Sequence, residues 1–216
     1  MGWPALQRWA VGKFSRSGFE LELDTSDLER IKPLVTRKQY ETVVRAGLTY
    51  AAKATPPAVA RQIGSRYNLP SRRTKADTRG PYVTGTGDNL QAELYFARRP
   101  PTAMQFGKPR QTSAGLSVAL FKGEKTTIRG GFLVTTRRGQ RLPVKPDRSK
   151  TYKGDAGRAK PRSGLSVIYG PSVGSVYRGQ SRYGDQIRGE VDARISEMFT
   201  KGVNRRFEAM MRGFAK

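Results

Sequence analysis

Carboxylates are the first residues to test for chemistry, because this sequence contains neither cysteine nor histidine. Without them, thiolate nucleophiles, cysteine- or histidine-ligated metals and imidazole acid–base steps are excluded. Glu20, Glu22, Asp24, Asp27 and Glu29 form one acidic cluster. Leu21 and Leu23 alternate with its first members, as in an edge strand, and Ser26 with Glu29 has the spacing of a capping box. Asp185, Glu190, Asp192 and Glu197 fall at the spacing of helix-surface charges. Hydrolysis with two metal ions needs several acids converging on one point, and neither set supplies that. Gly85-Thr86-Gly87-Asp88 begins like a dinucleotide fingerprint, but Leu90 stands where the third glycine belongs, and the segment precedes a strand. Gly123-Glu124-Lys125-Thr126 resembles the end of a phosphate loop, but Val118 occupies the position of its first glycine. Both segments read as turns. The expectation is a protein that is not an enzyme, with no catalytic residue, metal or cofactor.

What stands out is charge. Of 216 residues, 41 are Lys or Arg and 17 are Asp or Glu, a formal net charge of +24. A chain with that excess repels itself and suits a polyanion or the acidic face of another protein. From Arg98 to Arg162 there are 17 basic and 3 acidic residues, a net of +14. Candidate contacts with DNA or a partner are Arg72, Arg73 and Lys75, the Arg137, Arg138 and Arg141 group, and Lys150, Lys153, Arg158 and Lys160. The same charges could instead solvate strand edges or meet acidic sister proteins. No recognition helix, zinc finger or stacking motif accompanies them, so sequence-specific binding is not expected.

The elements that must carry these residues follow from periodicity. Hydrophobic content of 36% supports a thin core. Thr36 and Gln39 repeat the capping-box spacing, and Val43, Val44, Gly47, Leu48, Ala51, Val59, Ala60 and Ile63 recur at helical intervals. A helix is expected over 27–67 with a break or kink at Thr55-Pro56-Pro57, where Thr55 could cap a restart. A helical turn follows at 71–77. The period then changes to two: strands are expected at Leu90–Phe96, Leu116–Leu120, Ile128–Val134, Leu142–Val144 and Leu165–Tyr169, forming one small, mostly antiparallel sheet. Residues 145–164 are polar and basic and read as a long loop. Ile187, Val191, Ile195, Met198, Phe199, Val203, Phe207 and Met210 mark a helix from about 185 to 212, with acids near its start and arginines near its end. The fold class is therefore α+β: a kinked first helix and a long last helix on a small sheet. Residues 1–25 form an N-terminal arm and 26–216 a single domain. Trp3 and Trp9 could anchor the arm on a neighbour, and Phe199 and Phe207 are candidates for core or subunit interface. No stretch approaches the roughly 20 apolar residues of a membrane span. Met1–Phe19 has no apolar run of signal-peptide length, so synthesis in a cytoplasm and no membrane partner are expected.

The order of features resembles the minor tail protein Z family of tailed bacteriophages. An Ala-rich helix runs into Ala60-Arg61-Gln62-Ile63-Gly64-Ser65-Arg66-Tyr67, and a basic stretch follows Pro70. Then come the strand Leu90–Phe96, Phe106-Gly107, Gly130-Gly131-Phe132-Leu133-Val134, an Arg-rich turn with Leu142-Pro143-Val144, and Tyr169-Gly170-Pro171-Ser172 before the last helix. The resemblance spans roughly residues 35–212, leaving outside it the N-terminal 25 residues and the insertion 145–164. It implies a virion structural protein that completes the tail at the end meeting the head, beside the connector, tail terminator and tail tube, and contacts or lines the DNA path. It also implies a homo-oligomeric ring, six-fold if it matches a tail tube, and brings no catalytic residues. The competing reading is a free, non-specific nucleic-acid-binding protein of the ribosomal or chromosome-coating kind, resting on the charge alone.

Overall fold

A computed structural model describes residues 35–85, 90–152 and 162–214. Helix α1, Arg37–Arg66, starts at a capping box. The Gln39 amide donates to Thr36 Oγ1, and Gln39 Oε1 accepts from the Thr36 amide at 2.8 Å. The helix runs through Pro56 and Pro57. The expected restart is corrected: Thr55 lies inside the helix, and its hydroxyl donates back to the Ala51 carbonyl at 2.9 Å. The other expected cap, Ser26 with Glu29, lies outside the described residues, as do the N-terminal arm and its acidic cluster. Helix α1 stops where Tyr67 turns extended, three residues before Pro70. Helix α2, Ser71–Ala76, follows as a short basic turn.

Past two strands and two small sheets come helix α3, Val173–Tyr177, capped by Ser172, and helix α4, Gly184–Phe214. Ile187, Val191, Ile195, Phe199 and Val203 recur every four residues along α4 and are all buried. Each is worth about 1.5–3 kcal/mol of transfer from water. They pack on the Val43, Val44, Leu48, Val59 and Ile63 stripe of α1, which makes the helix pair the main core of the protein. The two helices run antiparallel: Gly47 faces Val203 and Phe199 near one end, and Arg66 pairs with Glu190 near the other. Glycine permits their approach. A Cβ on Gly202 would lie 3.0 Å from the Gly47 Cα and 2.7 Å from the Tyr50 Cβ.

The strands form three antiparallel sheets, where the periodicity suggested one. Strands β1 (Thr78–Thr84) and β2 (Gln91–Phe96) make a two-stranded ribbon against α1. Strands β3 (Arg110–Thr112), β4 (Gly115–Val118) and β5 (Thr126–Ile128) make the second sheet. Strands β6 (Phe132–Thr135), β7 (Arg141–Tyr152) and β8 (Arg162–Val167) make the third. The expected strand Ile128–Val134 is thus two strands in two sheets. Gly130, at φ 69°, and Gly131 reverse the chain between them. Space there is tight, since a Cβ on Gly131 would meet the Ile128 carbonyl oxygen at 3.0 Å. Ala103, Leu116, Val118 and Ile168 form a second, smaller core, against which Leu133 packs.

The expected loop 145–164 is also corrected at both ends. Strand β7 continues to Tyr152, and its far half pairs with β8 from Arg162, across a register shift between Asp147 and Thr151. Residues 153–161 lie outside the described residues.

Candidate interaction surfaces

Arg137, Arg138 and Arg141 are brought together by the turn between β6 and β7. Thr136 organises that turn: its amide donates to the Gln140 carbonyl (2.8 Å), its carbonyl accepts from Gly139 N–H (2.9 Å), and its hydroxyl accepts from Gln140 N–H (3.1 Å). Gly139, at φ 75°, supplies the left-handed residue that closes it. All five residues from Arg137 to Arg141 are exposed. The base of this hairpin is fixed by Val144, which is buried, and by Leu133 in the smaller core. Gln111 adds a clamp, accepting from the Leu133 amide and donating to the Gly131 carbonyl, each at 3.2 Å. Three guanidinium groups therefore sit at the tip of a mounted β-ribbon.

The other predicted contacts fare differently. Arg72 and Lys75 are exposed on α2, but Arg73 is taken by Asp77, Nε to Oδ2 at 3.0 Å, with that carboxylate nearly buried. Lys150 lies on β7. Lys153, Arg158 and Lys160 lie outside the described residues, as do Trp3 and Trp9. Phe199 is 2% exposed in the helix-pair core, so of its two readings the structure places it in the core. Phe207 is half-buried and packs on the same cluster.

Ion pairs divide the molecule. Along the helices, Arg45 meets Glu41, Arg66 meets Glu190, Arg188 meets Asp192 and Arg194 meets Glu197. Glu190 thus reaches across to α1, while Glu197 pairs within its own helix. On the sheet side the described acids, Glu124 and Asp147, are already engaged. Arg182 Nη1 donates to both carboxylate oxygens of Glu124, at 2.7 and 2.8 Å. The Asp147 carboxylate accepts from Ser149 and Ser166. No carboxylate among the described residues lies within ion-pair distance of Arg137, Arg138 or Arg141.

Two further clusters escaped the sequence reading because their members are far apart in the chain. Arg182 lies 5.3 Å over the Phe121 ring and 5.2 Å over Tyr183, while Tyr67 packs on both rings and donates to Ser181 Oγ at 3.0 Å. This clamp joins the end of α1, the β4–β5 turn and the approach to α4. At the second, the Tyr177 hydroxyl donates to Asp192 Oδ1 at 2.6 Å. Burial, and then the charge of Asp192, push the Tyr177 hydroxyl above its ordinary range. Burial also raises the Asp192 carboxyl, against the opposing hydrogen bond from Tyr177 and the charge of Arg188. Both clusters fasten α4 to its neighbours. No group of three or more metal-ligating side chains occurs among the described residues. No helix among them is long and apolar enough to cross a membrane.

Comparison with protein-family models, with curated proteins and with solved structures finds no match.

Proposed function

We propose that this chain is a structural component of a tailed-bacteriophage virion, acting at the tail end that joins the head connector. The observation that carries the reading is the segregation of charge. The helix pair holds the main core and pairs several of its cations with its own acids, while the sheet side presents a cluster of cations with no ion-pair partner among the described residues. A part built this way suits insertion between anionic or acidic neighbours. The motif order that resembles the tail-completion family supports the same reading. Its segments fall on the end of α1, on β2, on the turn into β6 and on the entry to α3. The proposed partners are connector, tail terminator and tail-tube proteins, with the chain in a homo-oligomeric ring, and no membrane. It carries out no catalysis in this reading.

Mass spectrometry of purified intact particles of the phage encoding this chain tests the proposal. The chain is expected at a copy number consistent with a ring, and six copies would fit a tail tube. Its absence from intact particles overturns the reading. The uncompensated charge also favours a second reading, a free nucleic-acid-coating protein, which predicts most of the chain on host nucleic acid and little of it in particles.

A further inference from the structure

We infer that the β6–β7 hairpin is a DNA-contacting finger, with Arg137, Arg138 and Arg141 seated on the phosphates of one groove of B-form duplex DNA. The inference deepens the proposed function by assigning its DNA contact to this one element. Three observations carry it together. These arginines share one exposed turn whose shape is set by Thr136 and Gly139. They lie in the stretch of net charge +14, whose described acids, Glu124 and Asp147, are committed to Arg182 and to Ser149 and Ser166. The hairpin base is locked into the smaller core, so binding has little backbone left to order and the entropy lost is mainly that of the arginine side chains.

The chemistry of the tip selects the partner. From Thr135 to Arg141 the sequence is Thr-Thr-Arg-Arg-Gly-Gln-Arg, with no apolar or aromatic side chain. Protein hot spots use Arg as well as Trp and Tyr, but seat it in desolvated pockets among aromatic and apolar neighbours, and the tip offers none of those. Guanidinium groups, by contrast, match phosphate oxygens as bidentate donors. A two-stranded ribbon fits the major groove of B-DNA, about 12 Å wide, whereas the A-form RNA groove is too deep and narrow for it. Helix α2 is the weaker candidate, because Asp77 already neutralises Arg73.

The test measures binding of the isolated full chain to a short mixed-sequence DNA duplex across a salt series. Parallel titrations use an RNA duplex and polyglutamate. Replacing Arg137, Arg138 and Arg141 together by Gln removes three phosphate contacts. The log–log salt slope is then expected to fall by about 2.7, at roughly 0.9 per phosphate. Equivalently, raising salt from about 50 to about 200 mM weakens the unaltered chain about 40-fold more than the variant. The matching Lys triple variant retains most of the slope, which separates lost charge from lost fold. Lys201→Gln with Arg206→Gln, on exposed positions of α4, leaves the slope within about one unit. A slope unmoved by the Gln triple overturns the inference. So does an equal loss of slope from the α4 pair, which would make the attraction diffuse. Equal losses toward polyglutamate or RNA overturn it as well, reassigning the finger to an acidic protein or to RNA. None of these outcomes bears on whether the chain belongs to particles.

Discussion

Glycines of one residue type have opposite roles at different points of the two long helices. Gly47 sits where a Cβ would meet Val203 Cγ2 at 2.7 Å and the Phe199 ring at 3.0 Å. Gly64 and Gly189 lie in the same two helices with open space around them. Gly47→Ala is therefore expected to destabilise the protein, by about 1–3 kcal/mol as overpacking typically does. Gly64→Ala and Gly189→Ala are expected to stabilise it by up to about 1 kcal/mol each, by removing unfolded-state entropy. Urea unfolding midpoints check the signs, and a stabilising Gly47→Ala would contradict the close helix crossing. Asp192 makes a pH prediction at the same scale. Its folded pKa is raised, so between the unfolded value, about 3.9, and the folded one the native state holds more protons than the unfolded state. Stability from this group is therefore greatest below the unfolded value and falls as pH rises through that window. Asp192→Asn keeps an acceptor for Tyr177 and abolishes the titration. Relative to the unaltered chain it is expected to gain stability as pH rises from the unfolded value through the folded one. A variant that tracks the unaltered chain at every pH would show that this carboxyl does not carry the effect.

The elements differ in how far their residues announce them. Helix α1 was legible in the single period of its apolar residues, but not in its start: the helix expected from residue 27 begins only at Arg37, behind the Thr36 cap, with Val35 and Thr36 outside it. The misreading at Thr55-Pro56-Pro57 has a physical cause. Two prolines leave the Ala52 and Lys53 carbonyls without amide donors four residues on, which normally ends a helix. Packing against α4 holds the helix through them, with Thr55 donating to Ala51. Replacing Pro56 and Pro57 by Ala restores both donors and is expected to raise stability by about 1–3 kcal/mol in denaturant melts. A loss of stability would mean that the proline rings are themselves needed in the packing. Strand β1 was missed because Gly80-Pro81 interrupts it, and its pairing shifts between Arg79 and Tyr82. The far half of β7 was missed because Asp147-Arg148-Ser149-Lys150 carries no alternating apolar side chains. Its strand character comes from pairing with β8, a non-local cause. The candidate finger was legible as an Arg-rich turn, but not its isolation. That depends on where the fold places and engages the acids, such as Glu124, which Arg182 holds from 58 residues away in sequence.

At the scale of the whole molecule, a formal charge of +24 has to be carried by a chain with 36% hydrophobic residues. Ion pairs on the helices offset part of the repulsion, but the sheet side has few acids, and the described ones are already engaged. Two effects of salt then compete. Screening weakens the helical pairs, most of which have at least one partner well exposed to solvent. It also weakens the repulsion among the surplus cations, which extends over about 10 Å at ordinary ionic strength. The surplus far exceeds the pairs, so relief of repulsion wins. The melting temperature of the isolated chain is therefore expected to rise from about 0.02 to about 0.3 M sodium chloride. It is expected to rise further on adding a short DNA duplex at low salt, because a ligand that binds the folded state stabilises it by mass action. The finger variant should keep the first rise nearly intact and lose much of the second. Thermal melts across both series measure this. A melting temperature that falls with salt would mean that the helical ion pairs, and not the uncompensated sheet face, dominate the electrostatics of the folded chain.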